Sequence, residues 1–273
     1  MITPAEIAVH YVRIGKNKTE FPWGRTVLLG IMAGAFIGLA AVGTNTAVCL
    51  TQDPATARLI SAVLFPAGLS MVLFAGSELF TGNCLMSIAL MEREIRLRAM
   101  LRYWALVYIG NFIGTLAVAW LVNAGGQLDL FEGRLAVYTI RTAVTKTSLS
   151  FDHALILGIL CNVLVCLAVW IGNAGKTIAD KFFGLYFPIL MFVVSGFEHS
   201  VANMYYISAG LFAAGNPQYA QEAVSQGVDL GGLSWGSFLF KNLLPVTLGN
   251  IFGGAVIVGG MYWLIYVRGR REK

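Results

Sequence analysis

Long uncharged stretches alternate with short charged connections along this chain of 273 residues. Four of the stretches contain no Asp, Glu, Lys or Arg, at residues 26–52, 103–128, 154–175 and 242–267. Each exceeds the roughly 20 helical residues that cross about 30 Å of hydrocarbon. The pattern therefore predicts four plain membrane-spanning helices.

Two further apolar stretches, residues 59–91 and 182–211, carry a single acidic residue each, Glu78 or Glu198. At about 1.5 Å per residue, the first would form a straight helix of roughly 50 Å, which is too long for one span. We therefore expect both stretches to fold as helix, loop, helix. Non-helical backbone at membrane depth is tolerated only inside protein or beside a cavity, so both breaks should lie at the centre of the bundle.

The sequence of the breaks is repeated. The pattern Gly-x-Glu followed by Asn five residues later occurs at residues 76–83 and again at 196–203, and Gly-Asn-x-x-Gly occurs at residues 110–114 and 249–253. Three segments per half is an odd number, so the second half should cross the membrane in the opposite orientation. An inverted 3+3 repeat with broken second and fifth helices predicts a substrate path at the breaks.

Composition supports an all-α polytopic membrane protein, because 57% of residues are hydrophobic and only 12% are charged. The net charge of +5 has a topological explanation. With both termini inside, 14 of the 19 basic residues fall on the inner side: Arg13, Lys16, Lys18, Arg25, Arg93, Arg96, Arg98, Arg102, Lys176, Lys181, Arg268, Arg270, Arg271 and Lys273. The five outer ones are Arg58, Arg134, Arg141, Lys146 and Lys241. This asymmetry predicts cytoplasmic termini, and no basic run resembles a nucleic-acid surface.

We expect one membrane domain over residues 1–273. Its predicted parts are a cytoplasmic N-terminal helix at 1–25, a first repeat at 26–128, an outer connection at 129–153, a second repeat at 154–267 and a cytoplasmic tail at 268–273.

The first 25 residues lack the apolar run of a signal peptide. Residues 3–6, Thr-Pro-Ala-Glu, are typical of a helix start with a capping box. The helix that follows either lies at the membrane surface, with Ile7, Tyr11 and Ile14 toward lipid, or is simply solvated.

Neither an enzyme nor a metal or cofactor site is indicated. The cysteines and histidines are not arranged at metal-ligand spacing, and we expect the thiols to be small buried groups: Cys49, Cys84, Cys161 and Cys166. No nucleophile-base arrangement or phosphate-binding glycine loop is present.

Several long motifs carry a family resemblance. Residues 73–82, LFAGSELFTG, and 158–168, GILCNVLVCLA, resemble the two signature stretches of the formate/nitrite transporter family. Residues 196–204 and 245–250 resemble its fifth and sixth helices, and the similarity runs from Val27 to the basic tail. The resemblance implies a homopentamer of aquaporin-like protomers in the inner membrane. Each protomer would have its own pore for small monovalent anions such as formate, nitrite or hydrosulfide.

The candidate pathway residues are polar groups at the breaks. Imidazole can exchange a proton near neutral pH, and the resemblance makes His199 the central pore histidine rather than a structural one. The Thr81 hydroxyl can donate or accept a hydrogen bond, or can merely cap the next half-helix. Asn162 and Asn250 are expected to join this network and to orient His199, or to act only in helix packing.

Charged and apolar groups complete the expected site. A carboxylate lining an anion path would repel the substrate, so Glu78 and Glu198 should turn into the protein and accept hydrogen bonds from free N–H groups of the broken helices and from asparagines. The resemblance places Lys146 near Thr81, where it would attract anions; the alternative is a lysine that only anchors the membrane surface. It also implies apolar constrictions that strip water from the ion, at Phe65, Leu69, Leu79 and Phe192.

The function expected from these residues is passage of a small weak-acid anion, with formate as the first candidate and hydrosulfide or nitrite as alternatives. The anion could leave charged, as through a channel, or as the neutral acid after proton donation by His199. An aquaporin-like channel for neutral solutes is the alternative of another class. Such a channel would show Asn-Pro-Ala at its breaks, whereas the single Asn-Pro of this chain, Asn216-Pro217, lies in an outer loop.

Overall fold

The computed structural model describes residues 2–269, and within them all regular structure is helical. The helices are α1 (Pro4–Thr19), α2 (Trp23–Val48), α3 (Pro54–Phe74), α4 (Phe80–Met91), α5 (Leu97–Ala124), α6 (Arg134–Thr147), α7 (Phe151–Ala174), α8 (Ile178–Val194), α9 (Ser200–Ala214), α10 (Pro217–Ser225) and α11 (Trp235–Tyr266). The predicted inner residues Arg270, Arg271 and Lys273 lie outside the described part of the chain.

Five helices in residues 2–269 are long and apolar enough to cross a membrane: α2, α3, α5, α7 and α11. The shorter α8 and α9 follow one another across the second break, as α3 and α4 do across the first. We call the side that holds the loops 49–53, 125–150 and 215–234 the outer side. Helix α11 begins seven residues before the uncharged stretch at 242, because Ser234 caps it and accepts a hydrogen bond from the Ser237 N–H.

The outer connection contains a helix that hydrophobicity alone did not indicate. Helix α6 lies between α5 and α7 and buries an apolar face that includes Leu135 and Ile140, while its last turn carries Lys146. The Asn216-Pro217 pair starts α10 on the same side, with the Asn216 side chain accepting from the Gln218 N–H. This dipeptide is a helix start and lies at neither break.

Small residues allow two pairs of helices to approach closely. A Cβ atom on Gly114 of α5 would overlap the carbonyl oxygen of Ile31 in α2. A Cβ atom on Gly253 of α11 would overlap the carbonyl oxygen of Ile159 in α7. In lipid, helices associate mainly through such close packing, so these two contacts join α2 to α5 and α7 to α11.

Helix α1 packs against the bundle. Its predicted capping box is present, with Thr3 and Glu6 each accepting from the other's backbone N–H. Both expectations for its apolar face were wrong, because Ile7 and Tyr11 are buried in the protein. The Tyr11 ring stacks on Trp170 of α7 with centroids 5.4 Å apart. This packing brings the last turn of α1 to the first break.

Candidate functional site

Both breaks begin with a glycine that ends a helix. Gly76 has φ +76° and Gly196 has φ +72°, in the left-handed region that other residues rarely adopt. In each case the next residue closes the helix, with Ser77 N–H donating to the Val72 carbonyl at 2.9 Å and Phe197 N–H donating to that of Phe192 at 3.1 Å. This is the Schellman arrangement, and it frees the chain to run extended to the next helix.

Asn111 of α5 fixes the first break from the side. Its Oδ1 accepts from the Phe80 N–H at 2.9 Å, and its Nδ2 donates to the carbonyls of Gly30 at 2.8 Å and Glu78 at 2.9 Å. One buried amide thus pairs two backbone groups that the interruption frees at membrane depth, the Phe80 N–H and the Glu78 carbonyl, and ties them to the Gly30 carbonyl of α2.

Asn250 of α11 makes the same contacts in the second half. Its Oδ1 accepts from the Ser200 N–H at 2.9 Å, and its Nδ2 donates to the carbonyls of Gly158 at 2.8 Å and Glu198 at 3.0 Å. Asn250 thus holds the backbone of Glu198 and Ser200, the residues on either side of His199, and the expectation that it orients His199 stays a prediction.

His199 and Thr81 come from different breaks and meet in the interior. The Nε2 atom of His199 lies 2.9 Å from Oγ1 of Thr81, and both side chains are buried. The Nδ1 atom of His199 accepts from the Ala202 N–H at 3.1 Å and caps α9. Because a backbone N–H can only donate, a neutral His199 carries its proton on Nε2 and presents it to Thr81.

Asn162 of α7 joins the two halves. Its Nδ2 donates to the Thr81 carbonyl at 3.3 Å and to the Asn250 carbonyl at 2.6 Å. The Cys166 thiol, one turn further on, also donates to the Thr81 carbonyl, at 3.4 Å. Asn162 therefore holds the backbone of Thr81, whose hydroxyl meets His199, and the expectation that it orients His199 stays a prediction.

Each glutamate forms an ion pair with a lysine. Lys146 Nζ donates to Glu198 Oε1 at 2.9 Å, and Lys18 of α1 donates to Glu78. The free N–H groups of the broken helices are not their partners, which corrects that expectation. Asparagines do contribute at the second break, where Asn203 donates to Glu198 Oε2 at 2.6 Å.

Lys146 lies at the second break, where it binds Glu198 and its Nζ is 5.5 Å from the ring centroid of Tyr206. It lines the same cavity as His199, which contacts Thr81. The expected place of Lys146 near Thr81 stays a prediction. The side chains of the pair are 18% and 8% exposed, so the two charges offset each other in a largely dehydrated setting.

A cavity of about 620 Å³ leads from the outer side to His199. Its inner part is lined by Phe65 and Phe192, whose rings are perpendicular with centroids 5.8 Å apart. The Phe192 ring lies 5.9 Å from the imidazole of His199. Leu69 and Leu79 are equally buried but do not line this cavity.

Two polar residues at the breaks were missed from the sequence, although each had a signal. Asn111 stands in the Gly-Asn pattern that Asn250 shares. Lys18 precedes Gly30 by twelve residues, as Lys146 precedes Gly158, but the intervening residues differ too much to suggest the match. Arg58 and Arg141 line the outer cavity, whereas the sequence alone indicates only their place on the outer side.

Comparison with known proteins identifies the family. A family model described as formate/nitrite transporter matches residues 5–264. The formate channel FocA of Haemophilus influenzae is 41% identical over 262 residues, covering 94% of this chain and 92% of that protein. A probable formate transporter of Methanothermobacter thermautotrophicus is 35% identical over 285 residues, covering 97% of each.

A solved structure described as a pentameric formate channel with formate bound has a TM-score of 0.78 and 33% identity, covering 90% of this chain and 98% of that one. Together with the apolar helices, these matches show a multi-pass membrane protein. The chain belongs to the formate/nitrite transporter family.

Proposed function

We propose that this protein conducts formate across the membrane through the space between the two breaks. The contact between His199 and Thr81 carries this proposal. With the Nε2 proton of His199 directed at Oγ1, the Thr81 hydroxyl hydrogen has no acceptor among the described residues. It is free to bind an anion, and the bond from the imidazole strengthens it as a donor.

The route to this donor removes water. Phe65 and Phe192 narrow the inner end of the outer cavity, so an ion passing them exchanges hydration for protein contacts. The nearest carboxylate along this route, Glu198, is offset by Lys146. A small anion is therefore drawn toward a hydrogen-bond donor without meeting an unpaired negative charge.

The hydrogen bonds at His199 favour stabilisation of the anion over proton donation. A protonated imidazole would carry hydrogen on Nδ1 and lose the bond from the Ala202 N–H. Formate then passes as the anion, bound at Thr81 by a neutral His199 network.

The assembly and placement in the cell belong to the same proposal. The likeness to a solved pentameric formate channel supports a homopentamer with one pore per protomer. The matched contacts of Asn111 and Asn250 support an inverted repeat with halves at 26–128 and 154–267. The distribution of basic residues supports an inner-membrane protein with cytoplasmic termini.

The test compares Thr81→Val with Thr81→Ser by stopped-flow formate flux in proteoliposomes. Valine keeps the shape and removes the donor, so formate flux should fall about tenfold or more, since a lost donor to a charged group is worth roughly 1.5–3 kcal/mol. Serine should retain most of the flux. Parallel nitrite and hydrosulfide measurements identify the preferred anion. Equal formate flux through the valine variant and wild type would contradict the proposal.

A further inference from the structure

Arg58 places a guanidinium at the outer entrance, on the same helix face as the aromatic constriction. It lies on α3 seven residues before Phe65, hence about two turns and 10 Å further out. Both side chains line the cavity that ends at His199. The guanidinium rests on the second break itself, because a Cβ built on Gly196 would lie 2.8 Å from Nη1 of Arg58.

The charges around this cavity leave Arg58 without a carboxylate partner. Four charged side chains line it, those of Arg58, Arg141, Lys146 and Glu198. Lys146 and Glu198 pair with each other at 2.9 Å. Arg141 reaches outward to the Gln226 carbonyl at 3.4 Å, and within residues 2–269 neither arginine forms a salt bridge. Glu198 thus offsets the charge of Lys146, the lysine expected to attract anions. The net positive charge of the cavity lining comes from Arg58 and Arg141.

The two breaks differ at this point. Gly76, the counterpart of Gly196 at the first break, has no atom within 4 Å of a Cβ built on it, whereas Gly196 has the guanidinium. The backbone geometry of the breaks is otherwise matched. Arg58 therefore makes the outer side of the protomer chemically different from the inner side.

We propose that Arg58 docks the substrate anion at the outer entrance and favours planar anions with two oxygens, such as formate, over anions with one acceptor atom. This inference rests on the proposed function. A guanidinium presents a planar pair of N–H donors that match two carboxylate oxygens, whereas hydrosulfide has one acceptor atom, its sulfur. Docking concentrates formate outside the Phe65–Phe192 constriction before its water is removed.

The test measures uptake by wild type, Arg58→Gln and Arg58→Lys in proteoliposomes over a range of formate and hydrosulfide concentrations. Arg58→Gln should raise the formate half-saturation concentration about fivefold with little change in maximal rate, as loss of an exposed charged contact predicts. The shift for hydrosulfide should be smaller. Arg58→Lys keeps the positive charge but lacks the paired donors, so its hydrosulfide uptake should stay closer to wild type than its formate uptake.

The matched control is Arg134→Gln, which removes an exposed outer arginine that does not line the cavity and lies 3.9 Å from Glu132. It should behave as wild type. Unchanged half-saturation for both anions in Arg58→Gln would overturn the docking role while leaving formate conduction intact. Equal shifts for both anions would overturn the preference for planar anions, and loss of the oligomer in both Arg58 variants would make the residue structural. A wild type that carries no formate would instead overturn the proposed function.

Discussion

At the scale of single residues, His199 has two roles that use different ring atoms. Nδ1 caps α9 through the Ala202 N–H, and Nε2 meets Thr81 across the two breaks. The cap determines which nitrogen carries the proton in the neutral ring and therefore what the site offers an anion. The capping bond at Nδ1 thus leaves Nε2 as the ring atom that donates toward Thr81.

Substitutions can separate these two roles. Asparagine is a good N-cap but is too short to reach Thr81, so His199→Asn should keep the assembled protein and nearly wild-type thermal stability while losing most formate flux. His199→Phe removes both contacts and should lose about 1 kcal/mol of helix stability in addition to the flux. Thermal unfolding of the detergent-solubilised protein and proteoliposome flux are the two measurements. Wild-type flux through the asparagine variant would show that the imidazole donor is not needed.

At the scale of elements, the broken helices depend on neighbours that repair their backbones. Asn111 and Asn250 each bond one N–H and two carbonyls, and α2 and α7 supply a further acceptor, the Leu29 carbonyl for Glu78 N–H and the Leu157 carbonyl for Glu198 N–H. The breaks are stable at membrane depth because these backbone N–H and carbonyl groups all have hydrogen-bond partners.

Asn111→Leu and Asn250→Leu should each destabilise the protein by several kcal/mol, since about 1–3 kcal/mol is lost for each buried group left unpaired. The matched control is Asn45→Leu, because Asn45 is also buried but its Nδ2 has no hydrogen-bond partner in residues 2–269. The expected order of thermal stability is wild type, then the Asn45 variant, then the two break variants. Equal stability of all three leucine variants would argue against the repair role.

At the scale of the whole molecule, each break has one lysine–glutamate ion pair, and the two ion pairs lie toward opposite sides of the protein. Lys18 of α1 serves Glu78 on the inner side, and Lys146 of α6 serves Glu198 on the outer side. Each ion pair thereby holds a helix outside the two repeats, α1 or α6, against one break. Orientation in the membrane then decides which entrance faces the cytoplasm.

Site-specific labelling tests this orientation. In a variant lacking Cys49, a cysteine replacing exposed Gln221 on α10 should react with a membrane-impermeant maleimide in intact cells. A cysteine replacing exposed Arg98 should react only after the membrane is opened, because the basic residues near it remain inside. Reaction of the Arg98 position in intact cells would reverse the topology.

The sequence by itself determined the helical membrane fold, the two interruptions and the residues at their centre. These follow from local patterns, because uncharged stretches of more than about 20 residues predict membrane-spanning helices and the Gly-x-Glu motifs mark where two of them are interrupted. The motif spacing placed His199 and Thr81 at equivalent breaks, and the structure brings them to 2.9 Å. Family motifs in the chain narrowed the substrate to small anions.

Only the tertiary structure decided which polar group partners which. The choice of Lys18 for Glu78, Lys146 for Glu198 and Asn111 for the first break depends on the packing of helices far apart in sequence. Hydrophobic periodicity does not predict these pairings, because it marks a helix face as buried without indicating which neighbour covers that face. The position of Arg58 against Gly196 is set in the same way, by where α3 comes to lie against the second break.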